Sequence, residues 1–140
     1  MVKDPLYIGI DLGTSGCRAV AIDQQGAVAG EARLDLPEPL RRGAAVEQDP
    51  TCWWQAVDEV IYALLKSISS RAVRAIAVDG TSGTVLLTDP DGRPCGNALM
   101  YNDNRAVAEA RRVAHTAPEE SAAHGTGSGL AKLLWLVAHM

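Results

Sequence analysis

Two segments of the chain place an aspartate and a GTSG turn directly after an apolar strand pattern. The first reads IGIDLGTSGCRAVAID (8–23) and the second reads IAVDGTSGTVLLTD (76–89). A carboxylate at the end of an otherwise apolar strand contributes nothing to a core, so we expect the strand to present it at the end of a sheet. Both segments predict strand–turn–strand units with polar turns, which restricts the chain to a fold built on a sheet.

The first half of the chain predicts a meander followed by a helix. Three strands joined by short turns, which should pair antiparallel, are predicted over 6–11, 17–23 and 27–35. The segment 36–48 carries two prolines and is interpreted as a loop. A helix follows, with Asp49 as N-cap, Pro50 at its first position and apolar residues spaced by three and four.

The second half predicts one further strand, a hairpin and two helices. Because the strand at 73–79 is apolar and follows a helix, we expect it to be buried on both faces and parallel to an earlier strand. The other elements are a hairpin over 84–89 with PDGRP, a helix over 104–114 capped by Asn102 or Asp103, and a helix from Ser128 still running at Met140. This order predicts an α/β fold with a mixed sheet, and the apolar final helix suggests a fragment.

Composition excludes several classes of protein. The 140 residues carry a net charge of −4 without a basic stripe, which predicts neither a nucleic-acid nor a membrane partner. Three cysteines without a CxxC pattern form neither a disulfide framework nor a zinc site. The N-terminus lacks the pattern of a signal peptide, and the longest apolar run, LLWLVA, is too short to span a bilayer. We therefore expect a cytoplasmic protein.

The first GTSG turn suggests a site for a phosphate with a metal ion. Gly13 and Gly16 allow positive φ, and successive N–H groups of such a turn can bind an anion. An aspartate beside a phosphate is reasonable if Mg²⁺ lies between them. The alternative is an ordinary polar hairpin turn. A P-loop is excluded, because GTGSGLAK (125–132) has Ala131 in place of the second glycine, and a Rossmann glycine motif is absent as well.

Several segments, taken in order, resemble the N-terminal part of FGGY-family carbohydrate kinases. They are YIGIDLGTSGCRAVAID, VEQDPTCWW, IAVDG, VLLTDPDGRP, ALMYNDNRA and AKLLWL. The resemblance implies a ribonuclease-H-like domain of the actin-like ATPase type, in an enzyme where Mg-ATP and a sugar meet between two domains. Residues 1–140 would then be an incomplete first domain, with the rest of that domain and the second domain absent.

The resemblance also implies roles for individual residues. Asp11 would hold Mg²⁺ through water, and the ATP phosphates would be bound by Thr14, Ser15, Gly16 and, behind the turn, Arg18. The sugar would be bound by Asp79, Thr81, Ser82 and Asp103. For Asp103, a structural role in helix capping and a local ion pair is an alternative of equal weight to a sugar contact. The family's catalytic aspartate and adenine pocket would lie beyond this chain, so no catalytic residue is expected within it.

The second GTSG segment bears on the substrate. Many xylulokinase-like members have a G-Q-x-x-G loop at this place, whereas DGTSGTVLLTD is more similar to the D-ribulose kinase branch, and Tyr101 replaces a usual tryptophan. The implied function is that of an N-terminal fragment, inactive alone, of a kinase that phosphorylates D-ribulose, D-xylulose or a related polyol. The sequence leaves open whether the protein forms a homo-oligomer. The alternatives are another actin-like ATPase, or a non-catalytic binding module with the same fold.

Overall fold

The computed structural model describes residues 4–139, which form two compact units. Unit 1 contains residues 4–37 and 51–80, and unit 2 contains residues 38–50 and 81–139. The strands, in chain order, are β1 (Leu6–Leu12), β2 (Gly16–Ile22), β3 (Val28–Asp35), β4 (Leu40–Arg42), β5 (Ala45–Gln48), β6 (Val73–Gly80) and β7 (Ala98–Leu99). The helices are α1 (Thr51–Leu65), α2 (Val107–Ala114) and α3 (Gly129–His139), with a short 3₁₀ turn at Ser70–Ala72.

Unit 1 is a four-stranded mixed sheet with one helix on it. The strand order is β3-β2-β1-β6, in which β1, β2 and β3 pair antiparallel and β6 pairs parallel to β1. The predicted meander and the predicted parallel strand are therefore confirmed. A connection between parallel strands needs a long crossover, and α1 supplies it.

The core of unit 1 follows from two periodicities. Alternate residues of β1 and β2 point to one face of the sheet, and residues three or four apart on α1 point back at them. The buried residues of this core are Ile8, Ile10, Cys17, Ala19, Ala21, Ala56, Val60 and Leu64. Because the apolar residues alternate, the other residues of β1 and β2 are left on the opposite face of the sheet.

Strand β6 differs from its prediction in one respect. We expected it to be buried on both faces, but Ile76 is 53% exposed and Val78 is 66% exposed. The reason is its place at the edge: among residues 4–139, β6 pairs only with β1, and α1 packs mainly on β2 and β3. Its apolar sequence is that of an inner strand, although in this structure it occupies an edge.

Unit 2 combines a small antiparallel sheet, in the order β4-β5-β7, with helices α2 and α3. The predicted loop over 36–48 is wrong in part, because it contains β4 and β5. The predicted hairpin over 84–89 forms isolated bridges, Val85 with Leu99 and Thr88 with Pro94, rather than regular strands.

The two helices of unit 2 pack against each other through small residues. Ala106, Ala110 and Ala131 are buried together, and Trp135 covers them. The predicted cap of α2 is wrong, because Ala106 precedes its first residue and neither Asn102 nor Asp103 occupies that position. The predicted continuation of α3 to Met140 falls outside the described residues. None of the helices described is long and apolar enough to cross a membrane.

Candidate functional site

A groove of about 400 Å³ lies on the unit 1 sheet. Asp11 of β1 is the register partner of Arg18 on β2 and of Asp79 on β6. Residues directly opposite each other in neighbouring strands point to the same face of a sheet. The structure thus brings three of the predicted site residues into one row across three strands, on the face away from α1, and all three line the groove.

Arg18 extends the row of charges to β3. Its Nη2 donates to Glu31 Oε2 at 2.7 Å, and both side chains are more than half exposed. An exposed pair of this kind contributes about 0–1 kcal/mol to stability. The resemblance placed Arg18 behind the phosphate turn, and the structure places it beside Asp11 on the groove face.

The first GTSG turn closes the β1–β2 hairpin without a left-handed residue. The N–H of Gly13 donates to the carbonyl of Gly16 at 2.9 Å, and the N–H of Leu36 donates to the carbonyl of Ser15 at 2.9 Å. The turn does not use the positive φ that Gly13 and Gly16 would allow, because the described glycines with positive φ lie elsewhere. Gly16 has a different requirement: a Cβ there would lie 2.9 Å from the carbonyl oxygen of Leu34 on β3. Phosphate binding by Thr14, Ser15 and Gly16 stays a prediction.

Two carboxylates stand side by side in the groove. Asp79 Oδ1 accepts the N–H of Gly80 at 2.8 Å, and Asp79 lies opposite Asp11 in the parallel ladder. Like charges directly opposite in a sheet destabilise each other, so a bound cation would relieve the pair. Mg²⁺ is usually held by one or two carboxylates together with phosphate oxygens and water, and the two aspartates fit that donor set. Within residues 4–139, no group of three or more His, Cys, Asp or Glu side chains is placed to hold a metal ion.

The second GTSG turn belongs to unit 2 from Thr81 onward. The N–H of Thr84 donates to the carbonyl of Thr81 at 3.4 Å, and Thr84 Oγ1 accepts the N–H of Tyr101 at 3.1 Å. Gly83 has φ +76°, which favours glycine, and a Cβ there would also lie 2.9 Å from the carbonyl oxygen of Gly127. Thr81 and the exposed Ser82 lie on this tightly packed turn, and their contact with a sugar stays a prediction.

Asp103 is fully buried in unit 2, and its carboxylate is occupied. It accepts the N–H of Val46 at 2.8 Å and the guanidinium of Arg105 at 2.8–3.2 Å. Arg105 also pairs with Glu47 at 2.7 Å and lies over the Trp135 ring. Burial acts to raise the pKa of the Asp103 carboxyl, but the hydrogen bonds from Arg105 and Val46 outweigh it and lower the pKa. The sugar contact of Asp103 stays a prediction, and this geometry favours the ion-pair alternative.

Sequence reasoning missed Lys132, whose side chain is completely buried. A lysine on a helix is ordinarily exposed, so AKLLWL gave no reason to single it out. One signal was available: Lys132 lies next to Ala131 and four residues before Leu136, and both of these residues are buried. A charged residue on the stripe that the 3.6-residue period assigns to the core indicates a structural or functional role.

Comparison with models of protein families shows the family to which the chain belongs. The model of the FGGY family of carbohydrate kinases, N-terminal domain, matches residues 6–140. The chain belongs to this family. Its fold is that of the FGGY sugar kinases, which have the actin-like ATPase architecture, so the predicted fold class is confirmed.

The relatives of this FGGY chain include two kinds of kinase. It is 33% identical to the xylulose kinase of Escherichia coli over an alignment of 142 positions, gaps included. That alignment covers 96% of this chain and 28% of the relative. It is also 33% identical to the glycerol kinase of Gloeobacter violaceus, with 94% and 28% covered. The crystal structure of a xyloylose kinase from Brucella ovis superposes with a TM-score of 0.85 at 29% identity, over 96% of this chain and 29% of that one.

These relatives bear on two of the expectations. The FGGY assignment is confirmed. The relatives support a xylulose-kinase-like branch rather than the predicted D-ribulose branch. The chain spans about 28% of the length of the two curated relatives described above.

Proposed function

We propose that the chain is the N-terminal part of an ATP-dependent kinase that phosphorylates a hydroxyl group of a pentulose or a related polyol. The observation that carries the proposal is the row Arg18, Asp11 and Asp79 on three neighbouring strands. It offers one cationic group and two carboxylates on an open groove in a member of a carbohydrate kinase family. The family match disfavours the alternative of another actin-like ATPase.

The groove would take the phosphate end of Mg-ATP. Phosphoryl transfer depends mainly on positioning and on neutralising charge, and bound Mg²⁺ would supply part of that neutralisation. Asp11 would hold the ion through water, and Asp79 provides a second carboxylate beside it. Arg18 contributes positive charge on the same face, and the hydroxyl groups of Thr14 and Ser15 can donate to phosphate oxygens.

The sugar would be bound by Asp79, Thr81 and Ser82. A polyol presents several hydroxyl groups, each both donor and acceptor, and carboxylate and hydroxyl side chains complement them. The two curated relatives described above are named xylulose kinase and glycerol kinase, so the proposed substrate class would include pentuloses and smaller polyols. The DGTSG segment departs from the G-Q-x-x-G loop, whereas the relatives support a xylulose-kinase-like branch, so both D-ribulose and D-xylulose are candidate substrates.

The remaining parts of the active site would lie outside these 140 residues. Under this proposal residues 1–140 form an incomplete first domain, and the catalytic base and adenine pocket belong to the rest of the kinase. We propose a cytoplasmic enzyme without nucleic-acid or membrane partners, and a homo-oligomer is compatible with it.

The test is a coupled ADP-release assay on the full-length protein that carries this chain. D-ribulose, D-xylulose and glycerol are compared at equal concentration, with Mg²⁺ present and after its removal by a chelator. The proposal expects polyol-dependent ADP release that disappears without Mg²⁺. ATP hydrolysis that no polyol stimulates would contradict the kinase proposal and favour another actin-like ATPase.

A further inference from the structure

The ammonium group of Lys132 is enclosed by four backbone carbonyls of unit 2. Its Nζ donates to the carbonyl oxygens of Gly83 at 2.7 Å, Met100 at 2.8 Å, Tyr101 at 2.8 Å and Gly127 at 3.3 Å. The side chain has no exposed surface, although it starts from α3. We call these four carbonyls with the ammonium group the carbonyl cage.

A buried ammonium group is costly unless its donors are satisfied. Burial lowers the pKa of Lys132, and the charge of Asp103 opposes that effect. The four carbonyl oxygens present more acceptors than the three N–H donors of the group, and hydrogen bonds to the charged form favour that form. The carbonyl cage thus compensates a cation that is otherwise removed from water.

The carbonyl cage joins segments that are distant in sequence. Gly83 belongs to the turn 81–84, Met100 and Tyr101 follow β7, and Gly127 lies in the loop before α3. These segments approach closely: the Gly83 Cα faces the Gly127 carbonyl with no room for a Cβ. Without the ammonium group, four carbonyl dipoles would point at one another in a buried space, and the segments would have to separate.

The positions of the side chains in the turn 81–84 depend on the position of its backbone. Thr84 Oγ1 accepts the Tyr101 N–H, and Val85, directly after the turn, exchanges backbone hydrogen bonds with Leu99, so these contacts hold the end of the turn. The carbonyl of Gly83 is held by Lys132. Ser82 is exposed at this turn and precedes the anchored Gly83 directly. A shift of Gly83 would move Ser82 with it, because one residue spans only about 3.8 Å between Cα atoms.

We propose that Lys132 is a positioning residue that fixes the turn 81–84 and thereby orients Thr81 and Ser82 for the sugar. It touches neither substrate nor metal, and it acts through the backbone carbonyl of Gly83. The proposal rests on the proposed function for the identity of the ligand, whereas the anchoring of the turn by Lys132 is independent of that function.

The test compares Lys132→Met with Lys66→Met in the full-length protein. Methionine keeps the length of the side chain and removes the charge and the donors, and Lys66 is exposed on unit 1, where it stacks on Tyr62. Two quantities are measured: amide hydrogen exchange over 81–84, and KM for the polyol and for ATP. If Lys132→Met does not fold, Lys132→Gln, whose amide keeps two donors, replaces it.

The proposal expects a local and selective effect of Lys132→Met. Exchange over 81–84 should be faster by about tenfold or more, and KM for the polyol should rise by about five- to tenfold. KM for ATP should stay within about twofold, and Lys66→Met should match the wild type in each measurement.

Three results would overturn the proposal. One is unchanged exchange over 81–84, and another is an equal change of both KM values, which a merely structural role would give. The third is a failure of both Lys132 variants to fold. If the wild type phosphorylates no polyol while Lys132→Met accelerates exchange over 81–84, the proposed function is wrong and the anchoring of the turn by Lys132 stands.

Discussion

Asp11 of β1 and Asp79 of β6 are register partners in the parallel strand pair of unit 1, so two carboxylates stand side by side on one groove. Asp79 directly precedes the second GTSG segment, and only Leu12 separates Asp11 from the first. Each segment follows one of two neighbouring parallel strands, and these strands end at the same edge of the sheet. In the proposed kinase, the first segment faces phosphate and the second faces the sugar.

Asp11→Asn in the full-length protein should reduce kcat by roughly a thousandfold, because the side chain keeps its shape while the metal loses a charged anchor. Steady-state kinetics at saturating Mg-ATP and polyol measure the effect. Asp58→Asn removes an exposed carboxylate of α1 and should leave kcat unchanged. A near-normal kcat for Asp11→Asn would remove this residue from the mechanism.

Ser82→Ala should raise KM for the polyol by roughly 2- to 12-fold, which corresponds to the loss of one hydrogen bond worth about 0.5–1.5 kcal/mol. KM for ATP should hardly change. Asp79→Ala should raise KM for the polyol as well, and it should also lower kcat if its carboxylate shares the cation with Asp11. Initial-rate measurements with each substrate varied separately decide this, and equal effects on both substrates would indicate a folding role.

Gly83→Ala should destabilise unit 2 more than Gly92→Ala does. Both glycines have positive φ, near +80°, so both substitutions introduce the same backbone strain. Only at Gly83 would the new Cβ also meet a backbone atom, the carbonyl oxygen of Gly127 at 2.9 Å, whereas the space around Gly92 is open. We expect an additional loss of about 1–3 kcal/mol, measured by urea unfolding followed through tryptophan fluorescence. Equal losses would contradict the close approach.

Asp103→Asn should destabilise the chain at pH 7 by about 3–5 kcal/mol, because it breaks a buried ion pair with Arg105. The pKa of Asp103 is lowered in the folded state, so its contribution is fully present above the unfolded pKa of about 3.9 and is lost as the pH falls through the folded pKa. The difference between variant and wild type should therefore shrink below pH 4.

Urea unfolding at pH 7 and at pH 3 measures that difference. Asp58→Asn serves as the exposed control and should change stability by less than about 0.5 kcal/mol at either pH. A difference that is the same at both pH values would show that the ionised carboxylate contributes nothing beyond its shape.

Residues 1–140 alone should show no polyol-dependent ADP release. General-base catalysis typically contributes 10²–10⁴-fold, and the proposed base lies outside this chain. The exposed apolar residues Ile76 and Val78 at the edge of the unit 1 sheet, and Val137 on α3, should also promote self-association. A coupled assay and light scattering test both points. Activity from a monodisperse monomer would contradict the assignment of these residues to an incomplete domain.

Much of unit 1 could be predicted from the sequence, because its elements are specified by local periodicity. The alternation in β1 and β2 and the three-and-four spacing in α1 each define one apolar face, and these faces can only pack on each other. The parallel placement of β6 follows from the helix before it. The alignment of Asp11 with Asp79 then depends on a strand register that only the folded sheet fixes.

The strands and the buried charges of unit 2 could not be predicted from the sequence, because they depend on contacts made only in the tertiary structure. β4 and β5 have only three and four residues, too few to show a periodicity, and β5 pairs with β7, fifty residues later in the chain. The burial of Asp103 and Lys132 is decided by the same long-range contacts: a charged side chain can leave water only where folding brings an arginine or several carbonyls to meet it. Local sequence patterns do not contain those partners, so the sequence determined which residues are charged and the fold determined which of those charges are buried.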